Sequence, residues 1–374
     1  MVSNTNVSGV SKAAVMPSPG RPVEVRSYNL PPLEPGSALF RTIASEVCGT
    51  DVHLWHGRLA GVPYPLIPGH VSVGVLEHTE GDLRDVNGTA LRTGDTVTFL
   101  DVIGTCNACW YCLVAHASTR CPHRKVYGIT LGAEDGPGLA GGWSEVIYLR
   151  PGTRILRLPK NVSPDTWIGG GCGLPTAIHA IELASIKLAD RVLVQGSGPV
   201  GLSCAALALL SGASWVGVIG APADRLAAAV RIGIDFTIDV TATTPAARKA
   251  AVLDATGGIG PDIVIEASGN PMAVPEGCEL TRDAGRYVIV GQYTDNGDVG
   301  MNPHLQINKK HLEIRGCWGS DFSHVYRAIE VQRRFDRQIR WSEFISRRYG
   351  LADTEAAMND VAAGRVVKAV VMPV

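Results

Sequence analysis

Cys48-Gly49-Thr50-Asp51-Val52-His53 places a thiol, a hydroxyl, a carboxylate and an imidazole within six residues. Two partners lie further along: His70, after Gly69, and Cys172, between Gly171 and Gly173. Cys48, His70 and Cys172 form the mixed soft and borderline donor set that zinc favours. Three protein ligands leave a fourth position for a water or an alcohol. A zinc there lowers the pKa of the oxygen it holds, and an alkoxide gives up hydride far more readily than an alcohol. The released proton needs a way out. Thr50 can pass it on, and His53 has the near-neutral pKa suited to delivering it to solvent. Each residue alone reads as structural; their joint occurrence in this order carries the assignment. Asp51 has two readings: a hydrogen bond that fixes the tautomer of a ligating histidine, or a cap for the helix that follows.

A second metal set is compact. Cys106, Cys109, Cys112 and Cys121 follow a C-x2-C-x2-C-x8-C spacing that closes a tetrahedral site with protein ligands alone, so this zinc is expected to be structural. Two zincs per chain follow, one catalytic and one structural. The cysteine lobe spans about residues 101–124. The pattern also fits a zinc ribbon in a nucleic-acid binder, but the formal net charge of −1 and the absence of a basic run weigh against that.

Gly196-Ser197-Gly198-Pro199-Val200-Gly201 follows the apolar run 191–195 and opens a helical run over 202–210. In that context the glycines let a backbone approach the pyrophosphate of a dinucleotide, and the helix start faces its charge. The second strand of such a unit usually ends in an acid that binds the adenosine ribose. Here that place is Gly220. Residues 221–224 carry no Ser, Thr, Lys or Arg for a 2′-phosphate, Asp224 would oppose one, and Arg225 can pair with a phosphate or lie along the ribose. NAD is therefore favoured over NADP, and Gly220→Asp is expected to strengthen that preference.

These groups need a scaffold of two domains, because single cores stop growing beyond roughly 250–300 residues and the chain has 374. The first ~160 residues hold short β-type runs (38–43, 71–77, 96–100, 143–149) without alternating helices, which predicts a mostly antiparallel, barrel-like domain. A helix over 177–188 leads into strands at 191–195, 215–219, 236–239, 262–267 and 286–290, with helices over 202–210 and 226–232 among them. That βαβ series predicts a doubly wound sheet, making the chain α/β. Past about residue 300 the chain is expected to return to the first domain, ending in a strand over 366–372.

Residues 1–10 read as a loose polar tail with no leader pattern, and no apolar run approaches the ~20 residues that span a bilayer. Nine cysteines, an odd count, suit metal chemistry in a reducing, cytoplasmic setting better than a disulfide framework, with Cys204, Cys278 and Cys317 as small buried hydrophobes. Trp55 and Trp318 are candidate pocket residues that read more readily as core. His56, Arg58 and Lys368 are candidate contacts for a polar substrate that read more readily as solvated surface.

Across about residues 11–374 the chain resembles the medium-chain dehydrogenase/reductase superfamily, specifically its zinc-dependent alcohol dehydrogenase-like members. The resemblance rests on Cys48-Gly-Thr50-Asp-x-His53, Gly69-His70, Cys172, the four-cysteine lobe, and the glycine loop with Pro199-Val200. It implies a GroES-like catalytic domain (11–170), a Rossmann domain (171–304), a return segment (305–374), an active site in the cleft between the domains, and homodimers or homotetramers. Two departures stand out. Val71 replaces the glutamate that usually follows the ligand histidine, and the last gap of the cysteine lobe is one residue longer than the commonest version. The expected reaction is hydride transfer between an alcohol, secondary or polyol-like by family analogy, and NAD(P). The competing readings are a carbonyl reductase using NADPH and a catalytically dead, zinc-stabilised binding module. No nucleic acid or membrane partner is expected.

Overall fold

The computed structural model describes residues 8–374. The polar tail expected over 1–10 lies mostly outside that range, and Val10 already opens the strand Val10–Val15. The chain forms two compact units, one running to Gly171 and regained by Asp321–Asp336 and Trp341–Val374, the other covering Cys172–Ser320 and Arg337–Arg340.

The first unit is built on a seven-stranded sheet. Its strands run in the order Ile345–Tyr349, Lys368–Val371, Ala38–Val47, Ser72–Thr79, Thr96–Phe99 and Ile155–Arg157, with Val146–Leu149 also paired to Ala38–Val47. All pairs are antiparallel except the first. Ala38–Val47 is the hub. It is buried along most of its length, and a C-terminal strand returns to lie against its far end, pairing Val370 with Glu46. Phe40, Leu76, Val97 and Ile147 form one apolar cluster, and Leu39, Val47, Leu54 and Trp143 belong to another.

The second unit holds a parallel six-stranded sheet: Phe236–Asp239, Trp215–Gly220, Arg191–Gln195, Ile263–Glu266, Arg286–Ile289 and Glu313–Gly316. By chain position this is the order 3-2-1-4-5-6 of a dinucleotide-binding fold. Val192, Leu193 and Val194 are wholly buried, as a central strand covered on both faces requires. Five strands match the sequence reading. The sixth, Glu313–Gly316, lies past residue 304, so the sheet extends into the expected return segment. Its residues are largely exposed and two of the four are charged, which hid it from an apolar-run criterion.

Candidate metal centres and cofactor loop

Cys48 ends the hub strand region and caps the helix Gly49–Trp55: its Sγ accepts from Thr50 N–H at 3.3 Å, while Asp51 Oδ2 accepts from Cys48 N–H at 2.8 Å. Asp51 is fully buried, and its Oδ1 also accepts from Gly69 N–H at 3.4 Å. One carboxylate thus ties the Cys48 turn to the Gly69-His70 turn. Burial pushes its pKa up, against the opposing pull of His70 and of these backbone donors. Of the two readings of Asp51, the cap is directly seen, and His70 is near enough to act on it electrostatically.

Gly69 has φ +89°, and a Cβ there would lie 2.6 Å from both Ser45 Oγ and Trp143 Cδ1. Only glycine lets this turn sit so close to the hub strand. The ligand atoms of Cys48, His70 and Cys172 all lie within 4.8 Å of one another. Cys172 follows Gly171, where the helix Pro164–Gly170 ends, and caps the next helix, Gly173–Ala184. Thr50 and His53 are three apart on one helix, hence on one face. Burial lowers the pKa of half-buried His53, and the nearby Arg58 and His56 lower it further.

Cys106, Cys109, Cys112 and Cys121 form the other cluster, again with ligand atoms within 4.8 Å. Cys106 N–H donates to Cys121 Sγ and Cys109 N–H donates to Cys106 Sγ, both at 3.3 Å. Backbone donors from Ala108 and Cys109 bring the Cys106 thiol down to about 6, while desolvation and the Cys109 thiol push Cys112 up to about 11. The last gap, Cys112 to Cys121, contains a short 3-10 turn, Ser118–Arg120. In both clusters the soft donors and their convergence suit zinc. The other three cysteines are buried, and none of the nine is in a disulfide.

In the glycine loop each glycine has its own reason. Gly196 has φ +117°, and a Cβ there would meet Ala267 O at 2.6 Å. A Cβ on Gly201 would overlap Gly196 O, so the helix Pro199–Leu210 can pack against the strand end. Gly198 has nothing within 4 Å of its missing Cβ, leaving its backbone open to a phosphate. Pro199 and Val200 form the first helical positions. Gly220 ends its strand, and Arg225 lies on the helix Ala223–Arg231, with its pKa pulled down by burial.

Some sequence candidates land elsewhere. Lys368 is not a surface residue: its side chain is 0% exposed and forms an ion pair with Glu46, itself 1% exposed. Trp55 is partly buried against an apolar cluster and donates to Arg21 O at 3.3 Å. Trp318 stacks on Tyr293, centroids 5.7 Å apart. Glu46 was missed altogether. Its only signal was a lone carboxylate two residues before a ligand candidate.

A parallel dinucleotide-type sheet, a separate antiparallel unit and two soft-donor clusters define a metal-dependent dehydrogenase class. Residues 34–160 match the family described as "Alcohol dehydrogenase GroES-like domain", and residues 199–333 match "Zinc-binding dehydrogenase". The chain is 31% identical over 370 residues to 5-exo-hydroxycamphor dehydrogenase of Pseudomonas putida, covering 96% of this chain and 98% of that one. An alcohol dehydrogenase from Thermotoga maritima superposes with a TM-score of 0.92 at 31% identity, covering 98% of this chain and all of its own. A Sinorhizobium meliloti protein solved with NADP bound gives 0.84 at 25% identity, over 98% of this chain and 100% of that one. The chain belongs to the zinc-dependent alcohol dehydrogenase-like members of the medium-chain dehydrogenase/reductase superfamily. It is an oxidoreductase that works on small-molecule alcohols with zinc and a nicotinamide cofactor. Among the described residues no helix is long and apolar enough to cross a membrane.

Proposed function

We propose that Cys48, His70 and Cys172 hold a catalytic zinc, that Cys106, Cys109, Cys112 and Cys121 hold a structural one, and that the enzyme oxidises secondary alcohols with NAD. The observation that carries this reading is the convergence of two thiols and an imidazole from distant segments, with Thr50 and His53 on the helix that Cys48 caps. When bound, zinc supplies the Lewis acidity that favours the deprotonated alcohol, and the nicotinamide supplies the hydride acceptor. Thr50 Oγ takes the alcohol proton and hands it on. His53, whose lowered pKa keeps it neutral at physiological pH, carries that proton towards solvent.

The backbone around Gly196, Gly198 and Gly201, with Pro199 and Val200, cradles the pyrophosphate; Gly220 and Arg225 flank the adenosine ribose. NAD is favoured because Asp224 stands exposed in the first turn after Gly220 and residues 221–223 offer no side-chain donor. A secondary alcohol is in keeping with the substrate for which the Pseudomonas relative is named. Nine cysteines without a disulfide suit a reducing compartment such as the cytoplasm. The exposed edge strand Glu313–Gly316 offers unpaired backbone groups for a homodimer or homotetramer, which sedimentation velocity would show as a species above monomer mass.

The test is reduced-nicotinamide absorbance over a panel of primary, secondary and polyol alcohols, with NAD and NADP in parallel. Turnover greatest with secondary alcohols and NAD is the expected result. A signal confined to primary alcohols or to NADP overturns the corresponding part.

A further inference from the structure

Glu46 meets all three segments that carry the proposed ligands of the catalytic zinc. It lies near the end of the hub strand, two residues before Cys48. Its backbone N–H donates to Val71 O at 3.0 Å, immediately after His70. Its side chain lies against Gly171, immediately before Cys172: a Cβ there would overlap both Glu46 Oε2 and Lys368 Nζ. Lys368 Nζ, ion-paired to Glu46 Oε1, also reaches Gly170 O at 3.5 Å. Trp143 Nε1 donates to Glu46 O at 3.3 Å, and Lys368 opens the strand that pairs with this part of the hub strand.

A pair this deeply buried is an expensive way to stabilise a core. Desolvation cancels much of the Coulomb attraction, and two apolar side chains of like volume often do as well. Fixing geometry is a use that can justify it. Gly171 has φ +49° and ψ −141°, a backbone shape that an L side chain rarely adopts, at the turn that aims Cys172. The carboxylate and ammonium pack against the face of that turn where a side chain would otherwise stand.

We propose that the Glu46–Lys368 pair is a positioning device for the catalytic metal site, holding the Gly170-Gly171 turn so that Cys172 meets Cys48 and His70. The role rests on the ligand assignment made above. The pair acts through the Gly170-Gly171 turn and Cys172.

The test uses the zinc-loaded enzyme, Glu46→Gln, and the double variant Glu46→Met with Lys368→Met, which removes both charges at similar volume and guards against unfolding from an unpaired buried lysine. Zinc release to a chromogenic chelator is followed in time, and the ligand-field bands are recorded after cobalt substitution. The expected result is that one of the two zincs is held about 10–100-fold more weakly in the variants, the scale seen when supporting groups around metal ligands are lost. The other zinc should be unaffected, and the cobalt bands of the weakened site should shift while the double variant melts at or near the native temperature. Native release kinetics and native cobalt bands in a folded double variant would overturn the proposal, leaving the pair a structural ion pair. A native enzyme holding one zinc, unaltered by Cys172→Ala, would instead overturn the ligand assignment and this role with it.

Discussion

At Gly220 the spacing of residue types and the packing of atoms point to different outcomes. From spacing, an acid placed there should bind the adenosine ribose. In the structure a Cβ at Gly220 would stand 2.5 Å from Ser197 Cβ and 2.9 Å from Ser197 N, and Ser197 is held by donating to Ala221 O at 3.0 Å. Gly220→Asp should therefore cost about 1–3 kcal/mol by overpacking. It should bring no gain in NAD affinity, and adding Ser197→Gly would relieve only the side-chain part of the clash. Denaturant melts and cofactor titrations check this, and a stable single variant with tighter NAD binding would refute it. His53 gives a pH prediction. Its pKa lies below the ordinary value, so it stays neutral, and able to accept a proton, further into acid than free imidazole. His53→Ala should slow alcohol oxidation by on the order of 10²-fold, most at low pH, with partial rescue by added imidazole. An unchanged pH–rate profile would exclude it from the proton path. The two clusters of donor residues were legible because such donors are rare and their spacing is chemically constrained. Glu46 and Lys368 were not, because sequence cannot show that two charges on distant strands are buried against each other.

Among the elements, the strand Arg191–Gln195 and the helix Pro199–Leu210 were readable because apolar runs and glycine punctuation agree there. Glu313–Gly316 was not, since an edge strand needs no apolar run and this one has none. The open space at Gly198 predicts that Gly198→Ala leaves the fold intact, because nothing stands within 4 Å of the added Cβ. The same change should weaken cofactor binding by filling the phosphate approach. Circular dichroism and NAD titration would separate the two effects, and undiminished affinity would move the pyrophosphate elsewhere. The cysteine lobe makes the converse case: Cys109→Ala should release one zinc and lower the melting temperature without altering the cobalt spectrum of the other site.

For the whole molecule, the two proposed zinc sites should empty independently, and the cofactor should bind only the folded chain. Cofactor at about 100 times its dissociation constant should add about 2.7 kcal/mol to stability, read as a rise in melting temperature. The two-domain plan was legible from chain length and from the change of pattern between halves; the boundary near Ser320 was not, because the last strand of the sheet is polar. The central claim, that Cys172 joins Cys48 and His70 around a catalytic zinc, is tested most directly by measuring zinc content and alcohol-dependent NAD reduction together in native protein and in Cys172→Ala. Two zincs and turnover are expected in the native enzyme, and a folded variant with one zinc and no turnover. A variant that keeps its activity would contradict it.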